Sequence, residues 1–160
     1  MSRLDSFIRR VCAQRDVLDH VCGLIAGLPG PVLELGLGNG RTFDHLREKL
    51  PGRRIVAFDR ALGAHRSSIP PEGDLVLGEI RETAACFSGI DAALVHADIE
   101  TNYAEIDAET VRWLAPLAAG LLQPGGIVAS GLALRHAALQ PLDLPAGVPV
   151  ERYHLYRRAA

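Results

Sequence analysis

Glu34-Leu35-Gly36-Leu37-Gly38-Asn39-Gly40 lies between a short apolar run, Val32-Leu33-Glu34-Leu35, and a segment, 41–50, with helical spacing at Phe43, Leu46 and Leu50. Glycines at a strand-to-helix junction allow a tight turn and a close approach of the backbone to a ligand. A helix beginning near Arg41 points its free N–H groups at the same spot. The dinucleotide fingerprint G-x-G-x-x-G/A needs a small residue where this chain has Arg41, so an NAD-type oxidoreductase fits poorly. The spacing here is G-x-G-x-G, with an acid two residues before the first glycine.

Outward from that loop, short apolar runs alternate with helical spacing. Ile55–Phe58, ending at Asp59, reads as a second strand, Asp74–Leu77 as a third, Ala92–Val95 as a fourth and Ile127–Ser130 as a fifth. Helices are expected over 41–50, 79–88 and 104–122. Leu4, Phe7, Ile8 and Val11, then Leu18, Val21, Leu24 and Ile25, predict one bent helix or two before Pro29-Gly30, with Ser2 and Asp16 as N-caps. After Ser130 the reading is a short helical piece near 132–139, a proline-rich loop over 141–149 and one edge strand over 150–156. Strands without polar alternation, separated by helices, indicate an α/β fold: a doubly wound, mostly parallel sheet of six to seven strands, helices on both faces, and an antiparallel C-terminal edge strand. A single domain over 1–160 is expected, with an N-terminal helical segment (1–28), a Rossmann-like core (31–130) and a C-terminal loop and edge strand (131–160).

In this order the motifs resemble those of the class I S-adenosylmethionine-dependent methyltransferases. Glu34 and the glycine loop are similar to the family's first motif, and Asp59 ends the second strand 19 residues after Gly40. Asp91-Ala-Ala-Leu-Val-His-Ala-Asp98 looks like the fourth-strand motif, and Leu121-Leu-Gln-Pro-Gly-Gly-Ile-Val-Ala129 like the fifth, where L-x-P-G-G recurs. The brevity of the chain resembles the small bacterial proteins described simply as S-adenosyl-L-methionine methyltransferases. The resemblance implies S-adenosylmethionine as cofactor. Contacts are then expected from Gly36, Leu37, Gly38, Asn39, Gly40 and Thr42, and from Asp59 and Arg60 on the ribose side. Gly78, Glu79 and Ile80 match the adenine position, and Asp98 faces the cofactor from the fourth strand. Glu34 would help hold the methionine ammonium, often through water; a carboxylate in an apolar strand needs a partner in any case.

His96 and Asp98 are the candidate catalytic residues. They end the fourth strand at the carboxyl edge of the sheet, where ligands bind in this architecture, and at i and i+2 they face the same way if the strand persists. One of them would contact or deprotonate the acceptor; a hydrogen-bonded structural pair, or a cofactor contact, is the competing reading. Several acceptor classes lack their signatures. His96-Ala-Asp-Ile-Glu-Thr101 has no proline for the [DNS]-P-P-[YFW] element of exocyclic-amine nucleic-acid enzymes, and Cys86 follows Ala85 rather than the proline of the cytosine-C5 enzymes. Asp98, Glu100 and Asn102 only faintly echo the metal-assisted catechol-type enzymes.

Composition sets further bounds. A formal charge of −2 argues against a large basic surface for nucleic acid. Arg9-Arg10, Arg53-Arg54 and Arg157-Arg158 read as solvated surface. Six dispersed histidines show no HxH or HExxH pattern, so no metal site is expected, and three cysteines without a CxxC pair read as reduced, mostly buried thiols. The N-terminus is charged throughout, and no apolar run reaches bilayer length, so the expectation is a cytoplasmic protein that does not engage a membrane. With few residues left over for an acceptor pocket, the expected partner is a small-molecule substrate, or a second subunit that completes the site. An open C-terminal edge would suit a homodimer. The alternative to an enzyme is a module that binds S-adenosylmethionine without turnover, serving as a sensor or partner subunit.

Overall fold

The computed structural model describes residues 2–160. Five strands, β1 (Val32–Leu35), β2 (Ile55–Asp59), β3 (Leu75–Leu77), β4 (Ala92–Ala97) and β5 (Leu122–Ser130), run parallel. Two more, β6 (Leu139–Leu142) and β7 (His154–Arg158), complete one sheet in the order β3-β2-β1-β4-β5-β7-β6, with β7 antiparallel to both of its neighbours. The helices are α1 (Arg3–Leu24), α2 (Arg41–Lys49), α3 (Ile80–Ala85) and α4 (Ala104–Leu121).

Side-chain parity along the strands divides the core. Val32, Ile55, Ala57, Leu94, Ile127, Ala129 and Leu155 face α1 and α2, packing on Val17, Leu18, Val21, Phe43 and Leu46. Leu33, Leu35, Val56, Phe58, Val95 and Val128 face α3 and α4, packing on Ala84, Leu114, Ala118 and Leu121. Burial on both faces explains why the inner strands read as unbroken apolar runs. The sheet grows from β1 outward to β2 and β3, then resumes on the other side of β1 with β4. That reversal opens a crevice at the carboxyl ends of β1 and β4, the usual ligand position in an open parallel sheet.

The C-terminal third differs from the expectation. Residues 132–138 form no helix, and 139–142 pair as β6. Pro141 is tolerated there because β6 is the outermost strand, where a missing N–H breaks no ladder. The segment 150–156 is not the edge: β7 starts at His154 and lies between β5 and β6. Leu155 and Tyr156 are therefore buried on opposite faces of the sheet, in the two different cores. At the other end, α1 is one helix, opened by a reciprocal cap between Ser2 and Asp5, with Asp16 in mid-helix. Of the thiols only Cys22 is buried, and burial pushes it up to about 11. No helix among the described residues is long and apolar enough to cross a membrane.

Arg53, Arg54 and Arg158 are more than solvated surface, whereas Arg9 and Arg157 are exposed as expected. From the loop before β2, Arg53 braces the connection between α1 and β1, donating to the carbonyls of Leu28 (2.8 Å), Gly30 (3.0 Å) and Ile25, the C-cap of α1 (3.1 Å). Arg54 pairs with Asp74 at 2.8 Å, and Arg158 donates to the Leu122 carbonyl. Replacing Arg53 with Ala is expected to lower stability by about 1–3 kcal/mol, and Arg53→Lys should recover only part of it, since an ammonium cannot span three carbonyls. Urea denaturation of the three proteins checks this; equal midpoints would refute the bracing role.

Candidate functional site

The crevice between β1 and β4 holds a cavity of about 600 Å³, within the range of small-molecule and cofactor sites. One wall is the glycine loop. The backbone turns sharply at Gly36 (φ +95°), where a Cβ would sit 2.7 Å from the Ile99 Cγ2 and 3.0 Å from the Asp98 carbonyl. The loop after β1 therefore lies directly on the loop after β4, and only glycine allows that approach. Gly38 also has positive φ (+52°), but a Cβ there would meet nothing within 4 Å. Its side faces the cavity and leaves room for a ligand at the backbone.

Asp59, at the end of β2, braces this wall. Its Oδ2 accepts from the Gly38 N–H at 2.7 Å and its Oδ1 from the Arg60 N–H at 2.7 Å. Each oxygen keeps a free lone pair, a suitable arrangement for the two hydroxyls of a ribose. Arg60 pairs with Glu79 at 3.1 Å across the mouth. Gly36, Leu37, Gly38, Asn39, Thr42, Asp59, Arg60, Glu79, Ile80 and Asp98 all line the cavity, so ten of the sequence-derived residues meet in one place. Gly40 and Gly78 do not line it. Gly40 packs on Ser68, and Gly78 packs beside Thr83.

Glu34 and His96 stand behind the wall, both with zero exposure. They are register partners on β1 and β4, with Nδ1 of His96 2.7 Å from the Glu34 Oε2. The Thr42 hydroxyl, which lines the cavity, donates to the other Glu34 oxygen. Glu34 is thus one hydrogen bond removed from any ligand. His96 was expected at the strand end beside the acceptor; its ring is instead fully buried between Glu34 and Tyr153. Its Nε2 meets the Tyr153 hydroxyl at 2.7 Å, so neither ring nitrogen is open to a substrate. The strand does not extend to Asp98, which lies outside the sheet and lines the cavity.

The remaining partners come from the chain ends. Gln14 Nε2 donates to Asp98 Oδ2 at 2.7 Å and to the Tyr153 hydroxyl at 3.2 Å. With His96 neutral and protonated on Nδ1, every donor points one way: Thr42 and His96 to Glu34, Tyr153 to His96, and Gln14 to Tyr153 and Asp98. Burial works against the charged form of His96, but the Glu34 carboxylate, through charge and hydrogen bond, and Asp98 outweigh it and raise the pKa above 6.5. Burial holds the Tyr153 hydroxyl well above its ordinary range. Sequence reading missed Gln14 and Tyr153, and with them the cavity residues Arg10, Val11, Arg41, Ile106 and Trp113. Nothing local marks Arg10, Val11, Gln14 and Tyr153, because topology alone brings α1 and the segment before β7 to the crevice; Arg41 comes from the start of α2, and Ile106 and Trp113 from α4. Among the described residues no group of three or more His, Cys, Asp or Glu is placed to hold a metal ion.

Two outcomes follow from this network. Tyr153→Phe leaves the buried His96 Nε2 without a partner and removes one of the two bonds of Gln14, and it is expected to cost about 1–3 kcal/mol in denaturant titration; an unchanged midpoint would remove the hydroxyl from the account. A raised histidine pKa stabilises the fold fully below its unfolded value, and the benefit is lost as pH rises through the folded value. The wild-type advantage in melting temperature over His96→Gln should therefore shrink as pH rises above the ordinary histidine value of 6.5. A constant gap would contradict it.

The comparisons agree with this architecture. The family model for S-adenosyl-L-methionine methyltransferase matches residues 1–158. A crystal structure of an S-adenosyl-L-methionine methyl transferase from Silicibacter pomeroyi DSS-3 is 44% identical, with a TM-score of 0.91, over 99% of this chain and 99% of that one. The cofactor-bound Rv0187 from MTB is 18% identical (TM-score 0.62; 88% of this chain, 78% of that one). SAH-bound PaMTH1 of Podospora anserina is 15% identical (TM-score 0.57; 88% and 76%). At that distance the last two share the fold alone. No curated protein matches the sequence. With the family matched along nearly its whole length and a close relative over all of it, the chain belongs to the S-adenosyl-L-methionine methyltransferase family.

Proposed function

We propose that the protein transfers a methyl group to a small-molecule acceptor by direct displacement, with the cofactor lying along Gly36–Asn39 and its ribose diol on Asp59. The observation that carries this reading is the cavity wall itself. Gly38 leaves its side open at the cavity, and the Asp59 carboxylate stands beside it with a lone pair free on each oxygen. Bound there, S-adenosylmethionine supplies a methyl already activated on a sulfonium.

The protein's own task is then alignment and exclusion of water rather than strong acid–base chemistry. Ile80, Ile99, Ile106 and Trp113 supply apolar wall. Glu79 and Ile80 sit where the adenine ring is expected. Asp98 reaches the cavity with one oxygen already held by Gln14, so it suits an acceptor contact or a proton-accepting role. Glu34 and His96 act as positioning residues, holding Thr42 and, through Tyr153 and Gln14, Asp98.

Asp59→Ala is expected to weaken binding of S-adenosylhomocysteine by about tenfold or more in calorimetric titration, since two charge-assisted hydrogen bonds are lost. Asp59→Asn, which keeps an acceptor for the Gly38 N–H, should retain the fold with an intermediate affinity. Wild-type affinity in Asp59→Ala would rule out the adenosine pose.

A further inference from the structure

A second cavity, of about 440 Å³, adjoins the first, and Asp98 and Arg10 line both. Its other polar walls are Ser6 from α1, Glu100 and Asn102 from the loop after β4, and Arg152 from the segment before β7. It holds two carboxylates and two guanidinium groups, all half-buried. Arg10, Glu100 and Arg152 make no ion pair with any described residue, and their side chains make no hydrogen bond there. Arg10 lies instead over the Phe7 ring, 5.6 Å from its centroid. Asp98 has only Gln14. The four charged groups, of both signs, thus surround an open space without pairing with one another.

The walls are held in place. Thr101 donates through its N–H and hydroxyl to Asp107 in the first turn of α4, both at 2.8 Å, and Asn102 takes the left-handed conformation (φ 64°) that asparagine tolerates. The Glu100 side chain lies over Gly131, where a Cβ would come within 3.1 Å of its Oε2. Burial raises the Glu100 carboxyl above its ordinary 4.5, and Asp98 adds to this, outweighing Arg10 and Arg152. The cavity's own cations therefore do not satisfy this acid.

We propose that this second cavity is the acceptor site and that it takes a small zwitterion of the amino-acid type, its ammonium group between Asp98 and Glu100 and its carboxylate on Arg10 and Arg152. A ligand of that kind brings one charge of each sign to a site that offers both, leaving the net charge of the complex unchanged. Asp98 and Arg10 line both cavities, so each end of the ligand meets one residue shared with the cofactor side. Calling the ligand an acceptor rests on the methyltransferase reading; its binding does not.

The test is calorimetric, on the full chain saturated with S-adenosylhomocysteine. Glycine, β-alanine and γ-aminobutyrate are the zwitterionic probes, with butylamine and butyrate as single-charge controls. At least one zwitterion should give saturable heat, and each control should bind about tenfold more weakly or worse. Arg152→Ala and Glu100→Gln should each weaken the zwitterion by about tenfold while leaving affinity for S-adenosylhomocysteine within about twofold of wild type, because neither residue lines the first cavity. Arg152→Gln serves if the alanine variant folds poorly. The proposal is overturned if no zwitterion binds, if the controls bind equally well, or if the variants bind like wild type. If S-adenosylhomocysteine fails to bind, the cofactor reading falls instead, and the same titration without it still decides this one.

Discussion

A carboxylate and an imidazole sealed in the middle of a parallel sheet constrain this molecule more than any other contact. Glu34 and His96 face each other across β1 and β4 with no access to water. A buried charge is tolerable only when its hydrogen bonds are complete. Here completion takes Thr42 from α2, Tyr153 from the segment before β7 and Gln14 from α1. No buried side-chain nitrogen or oxygen among the described residues lacks a partner. The pair thus ties together the elements that bound the crevice, including both ends of the chain.

That tie has a consequence at the surface of the crevice. Thr42 presents the glycine-loop side of the network to the first cavity, and Asp98 presents the other end to both cavities. Gly36 presses the two loops together at Asp98 and Ile99. A shift in one loop must therefore move the other, which is the precision that methyl transfer between two bound molecules asks of a scaffold. The residues that touch ligand in this account sit on loops, while the rigid sheet and its buried pair orient them.

Much of this was legible in the amino-acid sequence, for definite reasons. Strands β1 to β5 contain short apolar runs punctuated by glycine and proline, and the glycine loop and Asp59 sit at strand ends, in the order on which the family resemblance rests. The resemblance implied their ligand contacts, and Gly36, Leu37, Gly38, Asn39 and Asp59 do line the cavity, whereas Gly40 does not. What escaped was non-local. Strand β6 contains Pro141 and has no apolar signature; it exists because β7 offers it a ladder. His96 looked open at a strand end because Tyr153, which closes its ring off, lies 57 positions along the chain. Arg53 and Arg10 looked like solvated surface, since no local pattern shows that a distant helix end or a cavity lies beside them. Gln14 and Tyr153 are separated by 139 positions and meet only in the finished fold.

The central claim is that an adenosyl thioether, not a dinucleotide, occupies the loop at Gly36–Gly40. Side-by-side calorimetric titration of the unmodified protein with S-adenosylhomocysteine and with NAD tests it most directly. The account predicts saturable one-site binding of S-adenosylhomocysteine and no binding heat with NAD. Binding of NAD without S-adenosylhomocysteine would contradict it.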